Sequence, residues 1–413
     1  FKAGDGRQRN AVSGSYVSQS VADTFNNALA TTIFTSAGML DDFHSEITQD
    51  DIQFRHAFTS SSTQWAWGAE TSRQTRTGYL VTTFNPARLN FDELYSVKAT
   101  DAYVSGRYQL PGNFSAQLDL FSQHVRTRRN DLQTLDLLAP AAQYVLVSDA
   151  QEENFNEVNP RLGLKWQLGP MQSLRLVGQK WRRSASAGTL GEVDTLGVQV
   201  NDKLPTAGGL YERVRLQYDV EATKTAFFQG YLDHEHINNG LGGQRTAISG
   251  FEVTQLESLR NRPEVFSPKS DLENTPVFVE GTVSTIGLAA NFLVSKHQAL
   301  SASYLFRDSR QTGVDSDLLI PYVPRDYVQL GSQWSLPDRW LLGVSAVYRS
   351  MRYRDDANLD PIEAGWSFGF TAYWETTDKK SSVQAIVDNL LLDSKTADTQ
   401  TDPHIVVRYS YRF

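Results

Sequence analysis

The sequence contains no cysteine, which excludes a disulfide scaffold, a thiolate metal site and a cysteine nucleophile. It has no apolar run near the roughly 18–20 residues of a membrane-crossing helix, so a helical membrane protein is excluded. It also lacks an excess of positive charge. Asp and Glu number 47 against 39 Lys and Arg, a net charge of −8, which argues against a nucleic-acid binder. No internal repeat of fixed length recurs, which sets aside solenoids and propellers. Apolar residues make up only 40% of the 413 positions, although Trp, Tyr and Phe number 8, 17 and 21. Two classes survive: a soluble protein, or a membrane β-barrel whose strands escape hydropathy because only alternate residues are apolar.

The period of the chain decides between them. At the C-terminus Ile405, Val407, Tyr409, Tyr411 and Phe413 alternate with Val406, Arg408, Ser410 and Arg412, the two-residue period of a strand. Trp366, Phe368, Phe370, Ala372 and Trp374 alternate with Ser367, Gly369, Thr371, Tyr373 and Glu375. Val214, Leu216, Tyr218 and Val220 alternate with Arg213, Arg215, Gln217, Asp219 and Glu221, and Leu162, Leu164, Trp166 and Leu168 with Arg161, Gly163, Lys165 and Gln167. These runs approach ten residues, the length a tilted strand needs to cross a bilayer, and Trp and Tyr gather near their ends as an interfacial girdle requires.

Connections alternate in length too. Short links fall at Pro111-Gly112-Asn113, 168–172, 295–296, 336–338 and 377–380, and long ones at 76–100, 129–158, 184–209, 237–282, 308–324, 350–364 and 393–403. The pattern predicts an all-β fold, a transmembrane antiparallel up-and-down β-barrel of about sixteen to eighteen strands, with short periplasmic turns and long extracellular loops. Residues 1–413 read as a single outer-membrane barrel, with weaker strands over 1–100 (in 12–18, 25–34, 52–58 and 64–73) and clear ones over 101–413. The loop 237–282, with Gly240-Leu-Gly-Gly243, Pro263 and Pro268, is the expected gate.

Three stretches give a family resemblance. Asn159-Pro-Arg-Leu-Gly-Leu164, Ile320-Pro-Tyr-Val-Pro324 and Val387-Asp-Asn-Leu-Leu-Leu-Asp393 lie in order ahead of an aromatic C-terminal Phe413. Together they resemble the barrel of TonB-dependent outer-membrane receptors over about residues 155–413. The resemblance implies location in the bacterial outer membrane and transport. It also implies an N-terminal plug and a TonB-contacting box, and nothing before residue 9 fits either, so the expectation is a barrel whose plug is absent from this chain. Tyr409, Tyr411 and Phe413 would form the assembly signal read by the barrel assembly machinery.

Alternation assigns Arg107, Arg161, Lys165, Arg175, Arg213, Arg215, Asp219, Glu221, Arg307, Arg349 and Arg408 to the lumen wall. A basic wall would favour an anionic solute by focusing a positive potential. Alternatively the charges pair between strands as a rigid ladder, and Arg213/Arg215 beside Asp219/Glu221, or Arg107 facing Asp119, suit that reading. His234 and His236 share a face but lack a third metal ligand. Asp355, Asp356 and Asp360 lack the spacing of a calcium loop. Arg126-Thr-Arg-Arg129 could touch lipopolysaccharide. The seven histidines sit mostly at strand ends or in loops, and no serine sits in a nucleophile elbow, so no enzymatic activity and no cofactor are expected. The leading expectation is a channel that passes a solute or polymer, including export fed by a periplasmic N-terminal part. The alternatives are a ligand-importing receptor barrel and a closed anchoring barrel. Expected partners are outer-membrane lipids and lipopolysaccharide, the transported solute and a periplasmic protein; no nucleic acid is expected.

Overall fold

A computed structural model describes residues 2–4, 40–60, 62–84, 87–138, 141–183, 194–200, 204–243, 278–312, 318–353, 355–391 and 404–411. The strands expected in 12–18 and 25–34, the middle of the loop 237–282, the loop 393–403, Arg412 and Phe413 lie outside the described residues.

The early wall strands are β1 (Lys2–Gly4), β2 (Leu40–Thr59), β3 (Thr63–Phe84), β4 (Ala87–Leu110), β5 (Phe114–Leu138), β6 (Ala141–Gly169) and β7 (Gln172–Arg182). A short pair follows, β8 (Asp194–Thr195) and β9 (Val198–Gln199). The wall resumes with β10 (Leu210–Thr223), β11 (Ala226–Asn238), β12 (Glu280–Ser295), β13 (Gln298–Gln311), β14 (Asp326–Leu336) and β15 (Trp340–Arg349). A second short pair, β16 (Arg352–Tyr353) and β17 (Pro361–Ile362), precedes β18 (Gly365–Glu375), β19 (Ser381–Leu391) and β20 (His404–Tyr411). Leaving out the two short pairs, sixteen strands form one sheet in chain order, each antiparallel to its neighbour. This is the up-and-down transmembrane barrel that the alternation predicts.

The short turns gather at one rim, and their chemistry explains why. Gly112 and Asn113 both have positive φ, as do Asp338, Arg339 and Lys379, and tight reversals between twisted strands need this backbone. An aromatic belt follows the same rim on the outer face. Its pairs are Trp65 with Tyr108, Phe114 with Trp166, Phe228 with Phe292, and Trp340 with Trp374, at centroid distances of 5.1, 5.5, 5.3 and 6.2 Å. Ring bodies at the edge of a hydrocarbon layer are what a lipid-facing girdle requires.

Two of the expected long loops are replaced by strand. The ranges 76–100 and 129–158 continue the ladders of β3–β4 and β5–β6, which pair from Phe84↔Ala87 and Leu138↔Ala141 onward. The physical reason is that the alternation changes phase where the wall leaves the membrane. In β4 the inward positions run Arg107, Ser105, Tyr103, Asp101 and then Ala99, Val97 and Tyr95, while the outward ones run Val104, Ala102 and then Thr100, Lys98 and Ser96. Below the boundary apolar side chains face lipid. Above it they face inward onto folded loops, and polar ones face water.

The outer face therefore has a sharp dependence on height. Leu162 is 55% exposed in the apolar band, and Leu162→Arg is expected to cost about 2–4 kcal/mol of unfolding free energy in phospholipid vesicles. Asn156→Arg, above the boundary on the same face, is expected to cost no more than about 1 kcal/mol. Equal costs would place the membrane boundary elsewhere.

Candidate functional site: a loop-filled barrel interior

The interior is filled at its outer end and open at its inner end. The filling element is the hairpin of β8 and β9, reversed by Leu196 (φ 49) and Gly197 (φ 84), the two left-handed residues that a tight type I′ turn demands. It descends from the 184–209 connection and docks on four wall strands by polar contacts. Arg107 Nη2 reaches Asp194 Oδ1 at 3.3 Å, and Gln117 donates to the Asp194 carbonyl at 3.0 Å. Gln117 Oε1 accepts from the Leu196 amide at 2.8 Å. Gln179 donates to Thr195 Oγ1 at 3.1 Å and to the Val198 carbonyl at 3.0 Å, and Arg213 Nη1 donates to the Gln199 carbonyl at 2.9 Å. Gly163 leaves the space for this docking. A Cβ there would lie 2.8 Å from Thr195 Cγ2 and 3.0 Å from Leu196 Cδ1.

Above the hairpin, described loop residues pack against the wall in two apolar clusters. Tyr95, Val97, Ala99 and Val125 of the wall pack with Ala207 and Leu241. Tyr211, Ile237 and Val283 pack with Leu204, Phe278, Ile320 and Val323. Asn239 ties the loops together, accepting from the Thr206 amide at 2.7 Å and donating to the Phe278 carbonyl at 3.1 Å. Wall arginines hold the rest: Arg129 donates to the Leu241 carbonyl at 3.0 Å and Arg182 to the Gly208 carbonyl at 2.8 Å. The expected gate, 237–282, contributes its two described ends, and the 184–209 connection contributes more. Near the short turns a cavity of about 490 Å³ is lined by polar and apolar side chains together, among them Glu221, Phe227, Asn291, Phe292, Ser301 and Gln333.

The sequence-assigned arginines largely stand on the inward face, in partnerships that differ from those expected. Arg213 and Arg215 both bind Asp233 of the next strand rather than Asp219 and Glu221 of their own, because the period of two sets strand-mates on one face apart along the strand while register sets neighbours opposite. Tyr211 donates to Glu235 at 3.0 Å in the same cluster. Arg107 does not meet Asp119: its cross-strand partner is Gln117, and Asp119 accepts from Ser105 and Gln117. Asp219 instead receives Arg175 at 2.8 Å and amides of Gln217 and Gln229, both at 2.9 Å. Arg161 stacks over Phe121 at 4.1 Å. Arg215 lies over Tyr231 at 3.9 Å, and Arg307 and Arg349 flank Tyr327. Arg349 also donates to Ser367 at 3.0 Å. Lys165 faces Arg175, Arg408 faces Gln384, and Glu221 is on the same face at the open end. Tyr409 and Tyr411 project outward from β20.

Asp233, Glu235 and the β8–β9 hairpin are the members that sequence reading missed. The alternation of Asp233, Glu235 and Ile237 with Leu232, His234 and His236 carried the signal for the first two. His234 and His236 are outward, bonding Ser284 and the carboxylates of Glu212 and Glu280. Asp355 uses both oxygens on the Leu359 amide and also accepts from Asp360 N, so it closes its own loop. Among the described residues no group of three or more His, Asp or Glu could hold a metal. Outside the membrane-spanning part, the hydrogen bond from Arg126 holds the Glu152 carboxyl below its usual range.

These features define a class: an outer-membrane β-barrel whose described loop residues pack into its outer mouth. Comparison with solved structures gives the same fold. The chain aligns with the ferric yersiniabactin uptake receptor FyuA of Yersinia pestis at 12% identity and a TM-score of 0.58, over 91% of this chain and 54% of that one. The siderophore receptor PiuA of Acinetobacter baumannii aligns at 13% identity and a TM-score of 0.52, over 85% and 52% of the two chains. The ferric-catecholate import receptor Fiu of E. coli K12 aligns at 13% identity and a TM-score of 0.51, over 90% and 54%. The chain thus resembles the barrel of TonB-dependent outer-membrane receptors, as its motifs implied, and spans about half the length of those structures. No family model and no curated protein matches the sequence.

The Asp233 carboxylate neutralises two arginines in a site where its side chain is 2% exposed and that of Arg213 is 4%. Asp233→Ala is expected to destabilise the barrel by about 3–5 kcal/mol in urea unfolding, since it strands buried charge. Lys180→Ala, which breaks an outer-face pair with Glu212, is expected to leave the midpoint unchanged. A neutral result at Asp233 would mean that water reaches and solvates this cluster.

Proposed function

We propose that this chain forms the barrel of an outer-membrane transport receptor of the TonB-dependent type, which imports a bound solute, rather than an open export pore. The observation that carries this reading is the asymmetry of the interior. Among the described residues, loops pack onto apolar clusters at the outer mouth, while the inner end keeps a cavity with a mixed polar and apolar lining. A pore that conducts continuously gains nothing from a sealed mouth, whereas a receptor must release solute only when its interior rearranges. The fold shared with siderophore receptors supports the same reading.

In this proposal the inward face is the lumen wall. Arg107 and Arg213 hold the hairpin. Arg161, Arg175, Arg215, Arg307 and Arg349 rigidify the wall, and Lys165, Glu221 and Arg408 face the solvated inner half. Tyr409 and Tyr411 belong to the strand that engages the assembly machinery. A periplasmic partner supplies the work of opening, and the residues carry no enzymatic role.

Planar-bilayer recording tests the proposal. The intact chain is expected to show no large steady conductance, and removing Asp194–Gln199 is expected to increase the frequency of openings. A large, constant conductance from the intact chain would overturn it.

A further inference from the structure

The inward face of the barrel divides into two halves of different chemistry. On β4 to β10 it is charged, and the charges are bonded. Arg107 reaches Gln117 and Asp194, Asp119 accepts from Ser105 and Gln117, and Arg175 meets Asp219. From β11 to β15 the inward strand positions between the tier of Asp233, Arg307 and Arg349 and the short turns carry no charge. Register lays this region out in three rungs. The middle rung runs Phe227, Asn291, Ser301, Gly331 and Ser345. The rung above holds Gln229, Ser303 and Gln329, and the rung below holds Leu293, Gln333 and Gly343 and reaches Thr371 on β18. Charge returns at the borders, with Glu221 opposite Phe227 and Glu375 near the inner rim.

The neutral half also keeps its hydrogen-bonding groups unused. Among the described residues, Asn291, Ser301, Gln333, Ser345 and Thr371 make no side-chain hydrogen bond within the protein. Apolar groups stand bare among them: Phe227 is 39% exposed, Leu293 48% and Leu341 50%. Two glycines recess the wall. Ser301 Oγ lies over Gly331 and Thr371 Oγ1 over Gly343, each 2.5 Å from where a Cβ would stand. The cavity near the short turns opens on this patch, with Phe227, Asn291, Leu293, Ser301 and Gln333 in its lining. Five strands and three rungs make the patch about 19 Å wide and about 13 Å tall.

This mixture selects a class of solute. An ion would shed water here without meeting a counter-charge. A wholly apolar molecule would leave the amides and hydroxyls without partners. A free peptide would bring two terminal charges that the patch does not answer. Asn, Gln, Ser and Thr side chains both donate and accept, as a sugar hydroxyl does. A pyranose ring also has a C–H face, which packs on an aromatic ring or a leucine while its rim of hydroxyls meets the polar groups.

We infer that the inward face of β11–β15, centred on Phe227, Asn291, Ser301 and Gln333, binds a neutral oligosaccharide on its passage through the barrel. The inference rests on the transport reading above and names the class of its solute. Phe227 is the platform on which a ring stacks, Asn291 and Gln333 hold hydroxyls from either side, and Gly331 and Gly343 leave the depth that a ring needs. The charged half across the lumen keeps the wall rigid and takes no part in recognition.

The test uses the full chain in micelles of a detergent without a sugar head group and measures binding of radiolabelled probes by equilibrium dialysis. The probes are maltohexaose, mannohexaose and xylohexaose, with anionic hexagalacturonate and the neutral peptide acetyl-hexaserine amide for contrast. One or more of the neutral saccharides is expected to bind about tenfold more tightly than either contrast compound. Phe227→Ala is expected to weaken that binding about tenfold, and Asn291→Ala combined with Gln333→Ala by about the same factor. Tyr218→Phe, on the lipid face of β10, is expected to leave it within about twofold. Heat-modifiable gel mobility reports barrel formation in every variant, so loss of binding is distinguished from loss of the barrel. Failure of all the neutral saccharides to bind the folded barrel, equal binding of either contrast compound, or wild-type affinity in the folded variants would overturn the inference. Planar-bilayer recording of the same preparation separates the two readings, because a large steady conductance with saccharide binding intact overturns the receptor reading alone.

Discussion

A strand in hydrocarbon has no water to satisfy its backbone, so every N–H and C=O has to find a partner in a neighbouring strand. The rest of this structure depends on that constraint. It forces the uninterrupted antiparallel ladder from β2 to β20, and the ladder forces alternate side chains to opposite faces. Lipid then dictates one face, which leaves the other free to be polar. Arginines and carboxylates therefore accumulate inside the barrel, and register rather than strand sequence determines which of them meet. Asp233 serves both Arg213 and Arg215, and Asp219 collects Arg175 and two glutamines, because they are the neighbours that pairing supplies.

A polar interior in turn accepts a polar insert. The β8–β9 hairpin exposes backbone carbonyls and amides that would be costly to bury against an apolar wall. Gln117, Gln179 and Arg213 satisfy them one by one, and Arg107 pairs with the Asp194 carboxylate. Higher up the logic reverses. Once the strands leave the membrane, water surrounds the outside, and Tyr95, Val97 and Val125 turn inward to give the returning loops an apolar floor. The same two-residue period thus serves opposite purposes above and below one height. Described loop residues close on the wall at the mouth by ordinary hydrophobic packing, and inward residues at the lower end such as Glu221 and Thr223 stay exposed.

This inversion also explains what was legible in the sequence. Where lipid set the outer face, as in Leu162 to Leu168 or Val214 to Val220, the alternation gave strand, face and direction correctly. Arg161, Arg213 and Arg349 were placed on the inward face by parity alone. Above the membrane the alternation of Ser96, Val97, Lys98 and Ala99 is just as regular, but its phase is reversed, so it read as loop. The pairing errors have a related cause. Asp119 and Arg107 are close in sequence across a turn, yet register sets Gln117 against Arg107 and Ser105 against Asp119. The interior hairpin left only a faint mark, Thr195-Leu-Gly-Val198, because its contacts come from strands distant in sequence.

The central claim is that the interior is reachable from the inner mouth and sealed from the outer one. Since the chain has no native cysteine, a single Gln199→Cys on the hairpin gives a clean probe for a membrane-impermeant maleimide. Leu359→Cys, on an outer loop and 82% exposed, reports access from outside. In intact cells the account expects Leu359→Cys to label and Gln199→Cys to stay unmodified, with both labelling once the outer membrane is permeabilised. Labelling of Gln199→Cys in intact cells as fast as in permeabilised ones would contradict it.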